Sequence, residues 1–175
     1  MTNLEIKELN ADSLPDFVAD LSGCLKACVE AGANVNFILP FSLQEAEAYW
    51  IENALPALQR NERDCWIALQ DGKLAGTVQL IKKLTPNQIH RAEVTKLLVH
   101  PNYRRLGIAD KLMRVLIERA NSMGKNLVTL DTVTDSPAQR LYEGHGFQLA
   151  GIIPGFAKEP DTDKLVPTSY MYLNL

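Results

Sequence analysis

The chain has 175 residues, 46% of them hydrophobic and 22% charged, which is enough for one sizeable core and within the usual span of a single domain, residues 1–175. Its net charge is −3, and Lys82-Lys83 and Arg104-Arg105 are the only adjacent basic pairs, so there is no broad basic field and nucleic acid is excluded as an expected partner. No apolar run approaches the ~20 residues of a membrane helix and Met1-Thr2-Asn3-Leu4-Glu5 lacks a signal-peptide pattern, so no membrane partner and a cytoplasmic location are expected.

Leu4-Glu5-Ile6-Lys7-Glu8-Leu9 alternates apolar and polar residues and predicts a strand. A helix follows, with Ser13 placed to cap it, Pro15 in its first turn, and Phe17, Val18, Leu21, Leu25 and Val29 at helical spacing. Residues 32–40 read as a loop. Ser42-Leu43-Gln44-Glu45 is a capping-box pattern that opens a second helix through Tyr49, Trp50 and Leu55 toward Leu58, and Pro56 is expected to kink or split it. The three cysteines, Cys24, Cys28 and Cys65, are an odd number in a chain with no export signal, so reduced, buried thiols are expected rather than disulfides. Cys24 and Cys28 share a helix face, but no matching His or Cys pair completes a metal site.

Cys65-Trp66-Ile67-Ala68-Leu69, the turn pair Asp71-Gly72 and residues 73–83 predict an antiparallel hairpin, and residues 93–99 a third strand. From 107 to 121 the spacing of Ile108, Leu112, Val115, Leu116 and Arg119 predicts a helix, stopped by Met123-Gly124-Lys125. Strands over 127–130, 147–152 and 168–173 and a short helix over 137–144 complete the pattern. With no repeats or linkers, the reading is an α/β domain with one mixed sheet.

The segment between the third strand and the long helix carries the strongest chemical signal. Val94-Thr95-Lys96-Leu97-Leu98-Val99 leads through His100-Pro101-Asn102-Tyr103 into Arg104-Arg105-Leu106-Gly107-Ile108-Ala109-Asp110 at the helix start. The first N–H groups of a helix have no internal partner and its dipole is positive at that end, so a pyrophosphate can bind there through main chain alone. Gly107 and Ala109 keep side-chain bulk small where a phosphate must approach closely. The competing reading of Arg104 and Arg105 is a solvated basic turn.

Arg104 to Ala109 resembles the acetyl-CoA pyrophosphate loop, Gln/Arg-x-x-Gly-x-Gly/Ala, of the GNAT superfamily of N-acetyltransferases. Ala138-Gln139-Arg140-Leu141-Tyr142-Glu143-Gly144-His145-Gly146-Phe147 is similar to the second signature of that superfamily, in the same order along the chain. Gly32-Ala33-Asn34-Val35-Asn36-Phe37, Arg91-Ala92-Glu93-Val94-Thr95-Lys96-Leu97, Leu130-Asp131-Thr132, Pro154-Gly155-Phe156 and Leu165-Val166-Pro167-Thr168 resemble its tabtoxin-resistance branch more closely.

The resemblance implies a three-layer fold, a mostly antiparallel mixed sheet flanked by helices, and acetyl-CoA as the acetyl donor. It implies that Leu97, Leu98, Val99, Arg104, Arg105, Leu106, Gly107, Ile108, Ala109, Asp110, Ser136 and Tyr142 bind the cofactor. A strand bulge would free main-chain N–H groups around Leu98 and Val99 for the acetyl oxygen and the pantetheine amides. It also implies roles for Glu93 and Asp131 in acceptor binding and deprotonation, because an ammonium must lose a proton before it attacks a thioester. By the same resemblance Tyr142 would protonate the departing thiolate or hydrogen-bond it.

Simpler alternatives stand beside these roles. Glu93 could pair with Arg91 or Lys96, Asp131 could cap the following helix, Ser136 could be that cap, and Tyr142 could be a core residue. His90, His100 and His145 have no partner acid or thiol at motif spacing and read as structural or exposed. The expected activity is direct acetyl transfer to a primary amine of a small molecule, amino-acid-like or β-lactam toxin-like, with a resistance role. A polyamine or protein N-terminus is the alternative acceptor, and a non-catalytic acetyl-CoA sensor the alternative class. The residues leave a homodimer open. A nucleotide loop is disfavoured, since neither Gly-x-x-x-x-Gly-Lys-Ser/Thr nor Gly-x-Gly-x-x-Gly occurs.

Overall fold

Seven strands, β1 (Leu4–Leu9), β2 (Arg63–Gln70), β3 (Lys73–Ile81), β4 (Arg91–Val99), β5 (Leu127–Val133), β6 (Gln148–Lys158) and β7 (Leu165–Asn174), form one sheet in the computed structural model, which describes residues 3–175. Their order is β1-β2-β3-β4-β5-β7-β6, and every neighbouring pair is antiparallel except β4 and β5. Met1 and Thr2, which open the segment examined for a signal peptide, lie outside the described residues. Among the described residues no helix is long and apolar enough to cross a membrane.

The β2–β3 hairpin turns at Asp71 (φ 51°) and Gly72 (φ 78°), the two positive dihedrals that match a turn to the right-handed twist of the strands. Helix α1 (Val18–Glu30), helix α2 (Leu43–Ala48) and α3 (Leu55–Gln59) follow β1. Helix α4 (Ile108–Ser122) follows β4, and α5 (Pro137–Gly144) follows β5. One buried cluster joins Leu112, Met113 and Leu116 of α4 and Tyr142 of α5 to one face of the sheet. A second joins Leu21, Leu25 and Val29 of α1, Ala46 of α2 and Trp50 to the other. The result is the expected helix–sheet–helix arrangement, with the three cysteines free and buried.

Local chemistry explains most departures from the sequence expectations. Ser42 and Glu45 form the reciprocal capping box that starts α2. Between α2 and α3 the helix widens into a π-helical stretch, Tyr49–Ala54, in which Leu55 N–H reaches back five residues to Trp50 C=O. Pro56, which has no N–H to donate, follows at the start of α3, so the expected disruption falls just before it rather than as a break after it. Ser13 does not cap α1. A 3₁₀ turn, Leu14–Phe17, intervenes, and the Ser13 hydroxyl accepts from Asn10 N–H instead.

β6 and β7 run well past their predicted ends because they pair mainly with each other there, and main-chain pairing needs no apolar alternation. Register is lost between Ile153 and Ala157, around Pro154, which cannot donate to a ladder. Arg119, counted in the apolar stripe of α4, instead ties that helix to β2 through the buried Asp64 at 3.0 Å, which also receives Lys82.

Gly76 of β3 is the glycine with the least room for a side chain. A Cβ there would lie 2.7 Å from the Leu98 carbonyl oxygen and 3.2 Å from Ile108 Cγ2. Gly76→Ala is therefore expected to destabilise the protein by about 1–3 kcal/mol in urea unfolding, the range for overpacking a close-packed site.

Candidate active site

β4 and β5 pair for only three residues, from Arg91↔Leu127 to Glu93↔Thr129, and then separate. A cavity of about 860 Å³ opens where they part, bounded by β4, β5, the starts of α4 and α5 and residues 31–36 after α1. Such a split leaves backbone groups of two strands facing open space instead of each other.

β4 carries a bulge at the same place. Thr95 pairs with Gln79 and Leu98 with Thr77, so Lys96 and Leu97 together face the single residue Val78. Lys96 takes a positive φ of 51°, a region that non-glycine residues rarely occupy. The extra residue reverses the alternation of the strand. Ala92 and Val94 pack on the α4 face, whereas Leu98 packs on the α1 face. The bulge thus falls at Lys96-Leu97, two residues earlier than expected, and Leu98 and Val99 are again paired with β3.

The turn into α4 closes one end of the cavity. Arg105 has φ 64° and Gly107 φ 73°, and the first backbone bond of the helix is Lys111 N–H to Gly107 C=O. Among the described residues the N–H groups of Leu106, Gly107, Ile108, Ala109 and Asp110 donate to no protein acceptor. A Cβ on Gly107 would meet no atom within 4 Å, so the glycine is required by its backbone angle and the space beside it is open. This geometry can accommodate a diphosphate, with Arg104 and Arg105 beside it.

Tyr142 also borders the cavity, nearly buried, its ring 5.9 Å from that of Phe147. Burial pushes its phenol above the usual tyrosine range, and the Asp131 carboxylate adds to the shift. Asp131 itself is raised, first by burial and then by the charge of Glu93, while Lys96 pulls it back down. Both directions suit acid–base work: the phenol holds a proton to give and the carboxylate gains affinity for one. Glu93 is engaged by Arg91 at 3.1 Å, and Arg91 also reaches Thr129.

Of the expected site residues, Leu97, Val99, Arg104, Arg105, Gly107, Ile108, Ala109, Asp110, Asp131, Ser136 and Tyr142 border the one cavity. Glu93, Leu98 and Leu106 do not; Leu98 is buried in the α1-side core, and Leu106 is exposed. Ser136 caps α5 by accepting from Gln139 N–H at 3.1 Å, so Asp131 is not that cap. His145, expected to lack an acidic partner, lies 3.2 Å from Asp110 Oδ1.

Lys96 was not anticipated. It borders the cavity yet is only 9% exposed, with Nζ 5.2 Å from the centre of the Tyr49 ring and 5.6 Å from that of Phe37. Burial pushes its ammonium down to about 8; Arg63 adds to the fall and Asp131 opposes it. A lysine amid apolar strand positions was the available signal, but a strict alternation would put it on the face of Ala92 and Val94.

A model of the acetyltransferase (GNAT) family matches residues 29–147. An uncharacterized N-acetyltransferase encoded in the hisH-hisA intergenic region of Azospirillum brasilense is 29% identical over 133 residues, which are 75% of this chain and 76% of that protein. An N-acetyltransferase of Staphylococcus aureus Mu50 has a similar fold, with a TM-score of 0.79 at 19% identity over 98% of each chain. The yncA protein of Salmonella typhimurium, solved with its cofactor acetyl-CoA, superposes with a TM-score of 0.76 at 17% identity, covering 98% of this chain and 94% of that one.

The position of Lys96 makes stability depend on pH. Its folded value of about 8 is below the ordinary 10.5, so the unfolded chain binds more protons between these limits and stability rises with pH across them. Below the lower limit both states are charged and the folded state bears the full cost of the buried ammonium, which faces Arg63, Asp131 and the Tyr49 phenol. Lys96→Met should therefore be more stable than the parent at neutral pH by about 1 kcal/mol or more. Thermal melts across this range should show the gain shrinking as pH rises.

Proposed function

The chain belongs to the GNAT family of acetyltransferases, and from that premise we propose that it acetylates the primary amine of a small, amino-acid-like molecule by direct attack. That it is an acetyl-CoA-dependent N-acetyltransferase follows from the family; the acceptor and the residue roles below are our reading. In that reading residues 1–175 act as one catalytic domain. The observation that carries it is the meeting of Asp131 and Tyr142 at one cavity that the turn opening α4 also lines.

Acetyl-CoA supplies an acetyl thioester whose carbonyl carbon an amine can attack. The N–H groups of residues 106–110 and the arginines at 104 and 105 hold its diphosphate, and the bulged β4 backbone at Lys96-Leu97 turns toward the acetyl end. Asp131, its basicity raised by burial and by Glu93, accepts a proton from the incoming ammonium. Glu93 adds negative charge at the acceptor end while held by Arg91. Tyr142 keeps its proton until the thiolate leaves and then donates it. No cysteine enters this scheme: all three are buried, and none of them lines the cavity in which Asp131 and Tyr142 meet.

The likeness to the tabtoxin-resistance branch supports an acceptor with an amino-acid skeleton, and with it a detoxifying role. The test is thiol release from acetyl-CoA with a panel of amino acids, amino-β-lactams, polyamines and short peptides. Turnover confined to the first two supports the reading, and turnover confined to polyamines or peptides overturns it. Two variants separate the roles. Tyr142→Phe should lower kcat roughly 10²-fold with little change in acetyl-CoA affinity. Gly107→Val should instead weaken acetyl-CoA binding measured by calorimetry, because a β-branched residue cannot adopt φ 73° without strain.

A further inference from the structure

We propose that Lys96 forms an anion subsite in the acceptor cavity, so that the acceptor carries a carboxylate in addition to the amine that is acetylated. This rests on the reading of the cavity as an amine-acceptor site and goes beyond it by fixing the second functional group of the acceptor.

The position of Lys96 is built rather than incidental. An extra residue in β4 and a left-handed backbone angle turn its side chain to the α1 side, where Phe37 and Tyr49 flank it. Backbone strain of this kind persists only where the surroundings enforce it. Among the described residues the ammonium makes no ion pair and no hydrogen bond, although a buried cation is costly unless paired. It faces two aromatic rings and feels the charge of Asp131, which lines the same cavity.

The groups behind it are also donors. Arg63 donates to Tyr49 Oη at 3.2 Å, Asn53 Oδ1 at 3.1 Å and Gln79 Oε1 at 2.7 Å. Arg63 Nε and Gln79 Nε2 are buried with no acceptor. Lys96 therefore brings positive charge to the cavity lining, with the charge of Arg63 acting on it from behind, whereas Asp131 brings negative charge to the same lining and Glu93 acts on Asp131 from outside it.

A cavity whose lining carries both Lys96 and Asp131 selects a ligand that carries both an anion and an ammonium. An acceptor bearing only an ammonium would meet Lys96 uncompensated. One that also bears a carboxylate pairs its anion with Lys96 and thereby brings its amine to Asp131. The same pairing relieves the cost of the buried lysine, so binding energy is drawn from a group that the empty protein leaves unpaired.

The experiment has two arms. In the first, the side-chain resonances of Lys96 are followed by NMR while acetate, and separately acetamide, is titrated into the protein with CoA bound. A saturable shift with acetate alone supports the subsite, and no shift or equal shifts with both probes overturn it. In the second, acceptors active in the thiol-release panel are compared with their carboxamides. The parent should favour the carboxylate in kcat/KM by about 10- to 100-fold, the worth of a hydrogen bond to a charged group. Lys96→Met and Lys96→Gln should bring the ratio toward one, and Lys96→Arg should restore part of it. Equal losses for both acceptors in the neutral variants overturn the assignment. Thiol release with no amine at all defeats the amine-acceptor reading instead, and the acetate arm still decides the subsite.

Discussion

The parting of β4 from β5 after three parallel pairs is the constraint on which the rest of the molecule depends. A parallel pair continued to Val99 and Val133 would close the sheet and leave no room between the strands. The separation has to be supported from outside the sheet, because each strand loses hydrogen-bond partners along one edge. β3 supports β4 through Thr77 and Gly76, and β7 supports β5 along its whole length, Leu127↔Asn174 to Val133↔Thr168. The cavity exists because both strands keep a good partner on the side away from it.

The helices are fixed to this split from both faces. α4 anchors its buried residues in the core against β3 and β4, with Ile108 and Leu112 close to where a side chain on Gly76 would lie. That contact sets where the helix begins, and so where its free N–H groups face. On the opposite face the loop after α1 and the π-helical stretch bring Phe37 and Tyr49 against Lys96. The same packing that stabilises the fold therefore decides which charges meet in the cavity, and it does so by desolvating Asp131, Tyr142 and Lys96 together.

Much of the fold was legible in the sequence, since its local signals act over a few residues. The Asp71-Gly72 turn, the Ser42–Glu45 capping box and the apolar stripe of α4 each specify their own neighbourhood. The turn at Arg104 to Ala109 was legible for the same reason, because free N–H groups at a helix start follow from connectivity alone. The long β6–β7 extension was not, since its pairing is between main chains and the side chains of β6 are nearly all exposed. Glu93 illustrates the other limit: pairing with Arg91 and service at the site both suit its spacing, and only the fold shows the ion pair formed while the charge still acts on Asp131.

The sequence by itself determined most of the elements, the mixed α/β class and the turn of free N–H groups that opens α4, through turn dihedrals, helix caps and hydrophobic period. Only the tertiary structure decided which residues share the cavity and in what electrostatic state. A single inserted residue at Lys96-Leu97 reverses the face of everything after it in β4, so an alternation read along the chain puts Lys96 with Ala92 and Val94 when it lies with Phe37 and Tyr49. Face and burial are long-range properties: they are set by the register between β3 and β4, which no window of β4 alone contains.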